Sequence, residues 1–302
     1  MELITKSMKQ NNCYLSIDIG GSFIKYGYIS SELKITKRNI KPTKSFFLTE
    51  DFINYLLEDL SNEYSAICIS APGVIEKHRS IVSNPGGALK VLFKNNFTEI
   101  IKKKMHCEVF LINDGMAAAY CEHYCGNVKN LDSFVMLLIG TGLGGAVFLN
   151  NKPYKGINNV VGEFSGIPLG YSIDGSMYRL GSLCSINYLI RNYNSTASTN
   201  YTEIKPIIEL CQKGDSVAKH QFDLWVNNIV LAISIIGLCY NTKAICLGGG
   251  VTQNDWFIDR LTTMYNNAST PFKGRIKTEL LFCKHRNDAN LIGSVIAYLR
   301  GN

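Results

Sequence analysis

The spacing of apolar and polar positions predicts a mixed α/β chain. Residues 14–19 (YLSIDI) form a β-rich run that stops at Gly20-Gly21, and residues 23–29 (FIKYGYI) resume it. The pair reads as a hairpin around a glycine turn. Residues 33–44 predict a third strand. Residues 51–60 (DFINYLLEDL) place Phe52, Tyr55, Leu56 and Leu60 on one helical face. A buried-type strand at 65–71 ends at Pro72-Gly73. A helix at 95–105, a strand at 109–112 and a helix at 115–124 follow.

The pattern then restarts. Residues 134–139 predict a strand, 140–145 a glycine turn and 146–149 another strand. The strand, turn, strand unit thus recurs after about 120 residues, and each copy leads into alternating helices and strands, which indicates an internal duplication of one α/β unit. Helices are predicted at 183–193, 204–213 and 216–240, and a strand at 244–247 runs into Gly248-Gly249-Gly250. A late strand at 280–283 precedes a closing helix at 288–300, with Leu291, Ile292, Val295 and Leu299 apolar. Residues 192–202 (NYNSTASTNYT) are the most loop-like segment. No linker rich in Pro, Gly or Ser separates the halves. The expected boundary lies at Asp114, giving a first domain of 1–114 plus 288–302 and a second of 115–287.

Composition narrows the class. The 302 residues are 46% apolar and 18% charged, an ordinary globular balance with room for two domains. A net charge of +7 is mild, and the densest basic cluster, Lys102-Lys103-Lys104, reads as a solvated helix end rather than a nucleic-acid stripe. Ten cysteines are too few for a disulfide scaffold. Several sit in apolar runs (Cys68, Cys239, Cys246), which fits buried thiols in a reducing cytoplasm. The first twelve residues are polar and lack the apolar centre of a secretory signal. The most apolar stretch, 229–240, contains Ser234 and Gly237 and falls short of the roughly 20 residues a membrane span needs.

Three glycine clusters each follow an apolar strand: Asp18-Ile-Gly-Gly-Ser22, Gly140-Thr-Gly-Leu-Gly-Gly145 and Leu247-Gly-Gly-Gly-Val251. Glycine lets a backbone approach a phosphate closely with its N–H groups turned to the anion. Any one cluster alone would read as a hairpin turn. Residues 140–145 match GxGxxG, but a strand-like AVFL follows instead of a helix, which argues against a Rossmann site, and no GxxxxGK[ST] loop is present. Taken in order, with Ser70-Ala-Pro-Gly73, Ile112-Asn-Asp-Gly-Met-Ala-Ala-Ala119 and Gly162-Glu163, the clusters resemble the motifs of the ROK family of repressors and sugar kinases from about residue 14 to the end.

That resemblance implies a duplicated actin-like, hexokinase-like (ribonuclease H-like) ATPase fold, two domains with the active site in the cleft, and ATP with Mg²⁺ as cofactors. From position alone Asp114 could be a helix N-cap, Asp18 a turn residue and Glu163 a surface carboxylate. The resemblance implies instead that Asp114 is the general base for a sugar hydroxyl, kept ionised by its helix N-terminus, with Asn113 binding the sugar. It implies that Asp18 holds Mg²⁺ through water. Gly20, Gly21, Ser22, Thr141 and Gly142 would cradle phosphates, and Gly249 and Gly250 would lie by the adenosine. Glu163 would accept from sugar hydroxyls, with Gly73 and Asn84 at the rim.

The chain departs from the zinc-bearing members of that family. No His occurs between His123 and His220, no Glu between Glu163 and Glu203, and only Cys184 between Cys125 and Cys211. A zinc site with those ligands is therefore excluded. Cys121, His123 and Cys125 do not replace it, because His123 points away from the face the two cysteines share. Without polar groups near the anomeric carbon, that end of the pocket is expected to be roomier, with Tyr178 available to an aglycone. The sequence thus resembles β-glucoside kinases and some N-acetylmannosamine kinases. Glucokinase or fructokinase activity is the alternative, and a sugar-responsive regulator without catalysis is the reading from another class. The expected acceptor is a small sugar at its O6 hydroxyl. No nucleic acid or membrane partner is expected, and the family implies a homo-oligomer of unstated size.

Overall fold

The computed structural model describes residues 13–60, 64–77, 80–268 and 278–301. The polar first twelve residues, for which no secretory signal is expected, lie outside them. The chain forms two compact units: residues 1–130, 153–161 and 287–302, and residues 131–152 and 162–286.

The first unit begins with the expected hairpin. Strands β1 (Cys13–Ile19) and β2 (Phe23–Ser30) pair antiparallel, and β3 (Ile35–Pro42) adds to β2. Helix α1 (Thr49–Leu57) buries Phe52, Ile53 and Leu56. Next come β4 (Ala66–Ala71), the short pair β5 (Ile75–Glu76) and β6 (Ser80–Ile81), α2 (Phe97–Met105), β7 (Glu108–Asn113) and α3 (Asp114–Cys125). The sheet order is β3-β2-β1-β4-β7, with β1, β4 and β7 parallel. One face of this sheet packs on α1 and α2 through Leu15, Ile17, Ile69, Phe52, Phe97 and Ile101. The last helix, α9 (Ala289–Leu299), returns to the unit, and its Leu291 and Val295 pack with Ile29 and Cys68.

Helix α9 also lies hard against α3. A Cβ on Gly293 would fall 1.7 Å from the Ala117 carbonyl oxygen, so only glycine permits this approach. Residues 117–119 are all alanine, which lets the two backbones close up. The division between units therefore falls after Asn130 and not at Asp114, because α3 belongs with α9.

The second unit repeats the design. Strands β8 (Phe134–Ile139) and β9 (Leu143–Leu149) form an antiparallel hairpin edged by β10 (Lys152–Pro153). A short ribbon, β11 (Pro168–Tyr171) with β12 (Met177–Arg179), leads into α4 (Leu180–Cys184), α5 (Ile186–Ala197), α6 (Ile204–Gln212) and α7 (Ser216–Tyr240). Strand β13 (Ala244–Gly248), helix α8 (Asp255–Asn267) and β14 (Glu279–Phe282) complete it. The sheet order β10-β9-β8-β13-β14 is that of the first sheet, and β8, β13 and β14 are parallel. The duplication read from the sequence is thus a duplication of topology.

Some elements differ from expectation. Helix α5 runs through residues 192–197, which the polar composition predicts as loop. Asn194 accepts from the Thr199 hydroxyl and the Tyr201 N–H, and Tyr193 stacks against Tyr201 at 6.0 Å, so the polar run is tied back onto the helix. Helix α7 is continuous over 25 residues and is apolar and long enough to cross a membrane by composition alone. Here it is the central helix of the unit, burying Phe222, Trp225, Val226, Ile229 and Ile233. The Trp225 ring sits 5.5 Å from Phe222 and 5.4 Å from Phe257, and its Nε1 donates to the Cys184 carbonyl at 2.9 Å. Helix α8 has no counterpart in the sequence reading. None of the ten cysteines is in a disulfide; Cys68 and Cys246 are buried, whereas Cys239 is exposed on the outward face of α7.

Candidate active site

In the first unit, Asp18 closes β1 and is nearly buried, 5% exposed. Its Oδ1 accepts from the Ser70 hydroxyl at 2.8 Å and from Asn290 Nδ2 at 2.9 Å. Its Oδ2 lies 3.4 Å from Lys25 Nζ, because Lys25 is its cross-strand partner in the β1–β2 register. Ser70 reaches it from the parallel neighbour β4 at the same register level. Strands β2 and β4 and helix α9 therefore supply the partners of one carboxylate. Beyond it the chain turns: Gly20 N–H donates to the Phe23 carbonyl at 3.0 Å, and Gly21 and Ser22 are exposed at the tip.

Asp114 opens α3 at the end of β7. It is not the cap: Asn113 is, its Oδ1 accepting from the Met116 N–H at 3.0 Å while its Nδ2 donates to the Gly73 carbonyl at 3.1 Å. Gly73 holds φ +99° there, and a Cβ would lie 2.8 Å from the Ser83 hydroxyl, so the turn is built for glycine. Asp114 is half-buried and accepts from the Gly115 N–H at 2.8 Å. Burial, and secondly the charge of Asp18, push its carboxyl up to about 6, against a smaller lowering by the Gly115 N–H. The helix N-terminus is expected to keep this group ionised; desolvation and a like charge outweigh that dipole and raise its proton affinity. At pH 7 the group is still about nine-tenths ionised, but it is a far stronger base than a surface carboxylate. Asn84 is exposed, and its Oδ1 accepts from the Gly86 N–H.

The second unit carries the other motifs. Gly140 and Gly142 have ordinary negative φ, and a Cβ on either would meet nothing within 4 Å. Neither packing nor strain asks for glycine there. Thr141 between them is exposed. Gly145 and Gly162 serve packing instead. A Cβ on Gly145 would strike the Phe164 ring at 2.5 Å, and Gly162, at φ +101°, lies with its Cβ position 2.6 Å from the Gly145 carbonyl. The Gly162-Glu163 turn is thereby seated on β9, with Glu163 half-buried at the start of a short 3₁₀ turn. Gly249, at φ +102°, crosses β8 so closely that a Cβ would lie 2.0 Å from the Ile139 carbonyl, and Gly250 faces open space. Tyr178 is on the β11–β12 ribbon with Tyr171, Ile173 and Met177, all exposed.

The site residues missed by sequence reasoning are Asn290 and Lys25. Lys25 is signalled only by its register opposite Asp18. Asn290 and Ser294 are the polar positions, one turn apart, in an otherwise apolar closing helix, a pattern that marks buried polar contacts. Cys121 and Cys125 do share a face of α3, their sulfurs 3.9 Å apart.

Two sheets of one order, each a hairpin continued by parallel strands, with glycine turns after the first strand of each, define the actin-like, hexokinase-like fold. The model of the ROK family matches residues 14–300, and the chain belongs to that family. It is 25% identical over 297 residues to a β-glucoside kinase of Listeria monocytogenes, covering 94% of this chain and 97% of the kinase. It is 25% identical over 278 residues to the xylose repressor of Staphylococcus xylosus, covering 90% of this chain and 67% of the repressor. The fold is shared with a ROK family glucokinase of Streptomyces griseus solved with glucose and AMPPNP, at a TM-score of 0.83, 21% identity, and coverage of 96% and 100%.

Proposed function

We propose that this ROK-family chain is an ATP-dependent sugar kinase that transfers the γ-phosphate to the O6 hydroxyl of a hexose, favouring β-glucosides or other hexoses substituted near the anomeric carbon, in the cytoplasm. The observation that carries the reading is Asp114: a carboxylate at a helix start whose proton affinity is raised by burial and by Asp18. Phosphoryl transfer needs positioning and charge stabilisation more than covalent help from the protein, and a base near neutrality suits the removal of a hydroxyl proton. Asp114 accepts that proton as the hydroxyl oxygen bonds to phosphorus and ADP leaves. Asn113, held by its cap and by the Gly73 carbonyl, presents the acceptor side together with Gly73 and Asn84. Glu163 accepts from sugar hydroxyls.

Asp18 fits a hydrated Mg²⁺, a hard cation that takes one or two carboxylates and keeps several waters. Bound there, Mg²⁺ would neutralise charge on the nucleotide phosphates. Gly20, Gly21, Ser22, Thr141 and Gly142 offer backbone to those phosphates, and Gly249 and Gly250 to the adenosine. The exposed aromatic ribbon around Tyr178, with no Glu between Glu163 and Glu203 and no His between His123 and His220, supports an acceptor carrying an apolar substituent.

The test is ADP release with Mg-ATP across glucose, fructose, mannose, N-acetylmannosamine, N-acetylglucosamine, cellobiose and an aryl β-glucoside. Turnover strongest on the β-glucosides is expected. Turnover on N-acetylmannosamine or glucose alone would replace the substrate assignment. Nucleotide binding without turnover on any sugar would replace the kinase by a sugar-responsive regulator.

A further inference from the structure

A carboxylate at the end of a strand can rotate about its last torsion, since that torsion is broad and nearly two-fold. Asp18 is denied this freedom asymmetrically. Both neutral donors, Ser70 Oγ at 2.8 Å and Asn290 Nδ2 at 2.9 Å, bind the same oxygen, Oδ1. The other oxygen, Oδ2, faces the cationic Lys25 Nζ at 3.4 Å. One oxygen is thus held by donors that carry no charge, and the other faces the cationic side.

We propose that Asn290 is a positioning residue for Asp18, reaching from α9 to lock Oδ1 so that Oδ2 is the oxygen presented to a hydrated divalent cation. The inference rests on the kinase reading for that cation. A bare structural tie would not need Asn290. One turn on, Ser294 already joins α9 to β1 through the Ser16 hydroxyl at 2.9 Å, buried and between neutral groups. Asn290 instead directs its donor at a buried charge, the kind of hydrogen bond that contributes most. The backbone placement is equally specific. Gly293, three residues along α9, seats the helix on the Ala117 carbonyl of α3, so Asn290 is held in reach of Asp18 by the same helix that supports the Asp114 segment.

Two measurements test this. The first is a double-mutant cycle of Asn290→Ala with Asp18→Ala in urea unfolding, with Asp18→Asn in its place should the alanine not fold. A coupling of about tenfold in the unfolding equilibrium constant is expected, and additive effects would overturn the proposal. The second is the affinity for Mn²⁺·AMPPNP, read by electron paramagnetic resonance without sugar or turnover. Asn290→Ala is expected to weaken it about tenfold and to raise the KM for Mg-ATP while leaving the KM for sugar unchanged. Ser294→Ala should lower stability and leave Mn²⁺·AMPPNP affinity at the parent value. Parent-like Mn²⁺·AMPPNP affinity in Asn290→Ala, or an equal loss of that affinity in Ser294→Ala, would make Asn290 merely structural. A parent that binds no nucleotide and phosphorylates no sugar sinks the kinase reading and with it the cation role, while the coupling still decides whether Asn290 holds Asp18.

Discussion

Replacing Gly293 by alanine tests the packing that carries both acidic residues. In an exposed helix interior this change stabilises by about 1 kcal/mol, because alanine is the better helix former. Here the new Cβ would sit 1.7 Å from the Ala117 carbonyl oxygen, 2.6 Å from its carbon and 3.1 Å from the Cys121 nitrogen. All three are backbone atoms of α3, so no side chain can swing aside. Restoring ordinary contact requires α3 and α9 to part by on the order of 1.5 Å in a close-packed interior. Overpacking of this kind costs about 1–3 kcal/mol, and it must first cancel the propensity gain. Asp114 begins α3 and Asn290 lies one turn before Gly293, so the separation reaches both carboxylates. A displacement of about 1 Å at reacting groups can lower turnover about 100-fold. Urea unfolding and ADP release on the best acceptor would be measured side by side. Gly237→Ala in α7 is the internal control: its Cβ would meet only Thr278 Oγ1 at 3.9 Å and Ile245 Cδ1 at 4.0 Å, and it should be neutral or slightly stabilising. A Gly293→Ala protein as stable and as active as its parent would refute the reasoning.

Asp114→Asn should abolish turnover and yet stabilise the fold. The carboxyl binds its proton more tightly folded, at about 6, than unfolded, near 3.9, so its ionised form opposes folding above about pH 6 and this penalty disappears below about pH 4. The variant should therefore be more stable by on the order of 1–3 kcal/mol at pH 7, with the difference shrinking as pH falls from 6 to 4; a less stable variant at pH 7 would contradict the assignment. In the parent, kcat/KM should fall below about pH 6 as Asp114 takes up its proton, and a flat profile down to pH 5 would exclude it as the base. Gly249→Ala forces a side chain onto φ +102° and into the Ile139 carbonyl, so AMPPNP affinity by calorimetry should drop at least tenfold; unchanged affinity would remove this turn from the nucleotide site.

The parts of this protein that could be read from its sequence are those whose cause is local. The hairpins show as β-rich runs broken by glycine, and Asp18, Asp114 and Glu163 lie in motifs short enough to recognise. The rest depends on partners distant in sequence. Asn290 meets Asp18 across the length of the first unit, and Lys25 is opposite it only because of the strand register. The raised affinity of Asp114 for its proton comes from burial and from the carboxylate of Asp18 on β1, neither of which is visible from its position at a helix start. Residues 192–197 mislead for the opposite reason: their composition is that of a loop, and a side-chain network centred on Asn194 keeps them helical. Helix α8 does carry local signals, Asn254 accepting from the Phe257 N–H and Asp255 in the first turn.

The first unit is discontinuous: its sheet is complete by Asn113, but α9 arrives only after the whole of the second unit. During synthesis, β1 and Asp18 leave the ribosome long before the helix that carries Asn290, Gly293 and Ser294. Domains fold as units when their last segment becomes available. Until α9 emerges, the carboxylate has Ser70 and Lys25 but lacks its third partner, and α3 lacks the surface on which it rests. The nascent first unit would therefore expose the apolar side of its sheet around Ile29 and Cys68 throughout translation of the second. The competence of the acidic pair is thereby coupled to completion of the chain, so that a truncated product ending before residue 289 would be inert and prone to aggregate rather than partly active.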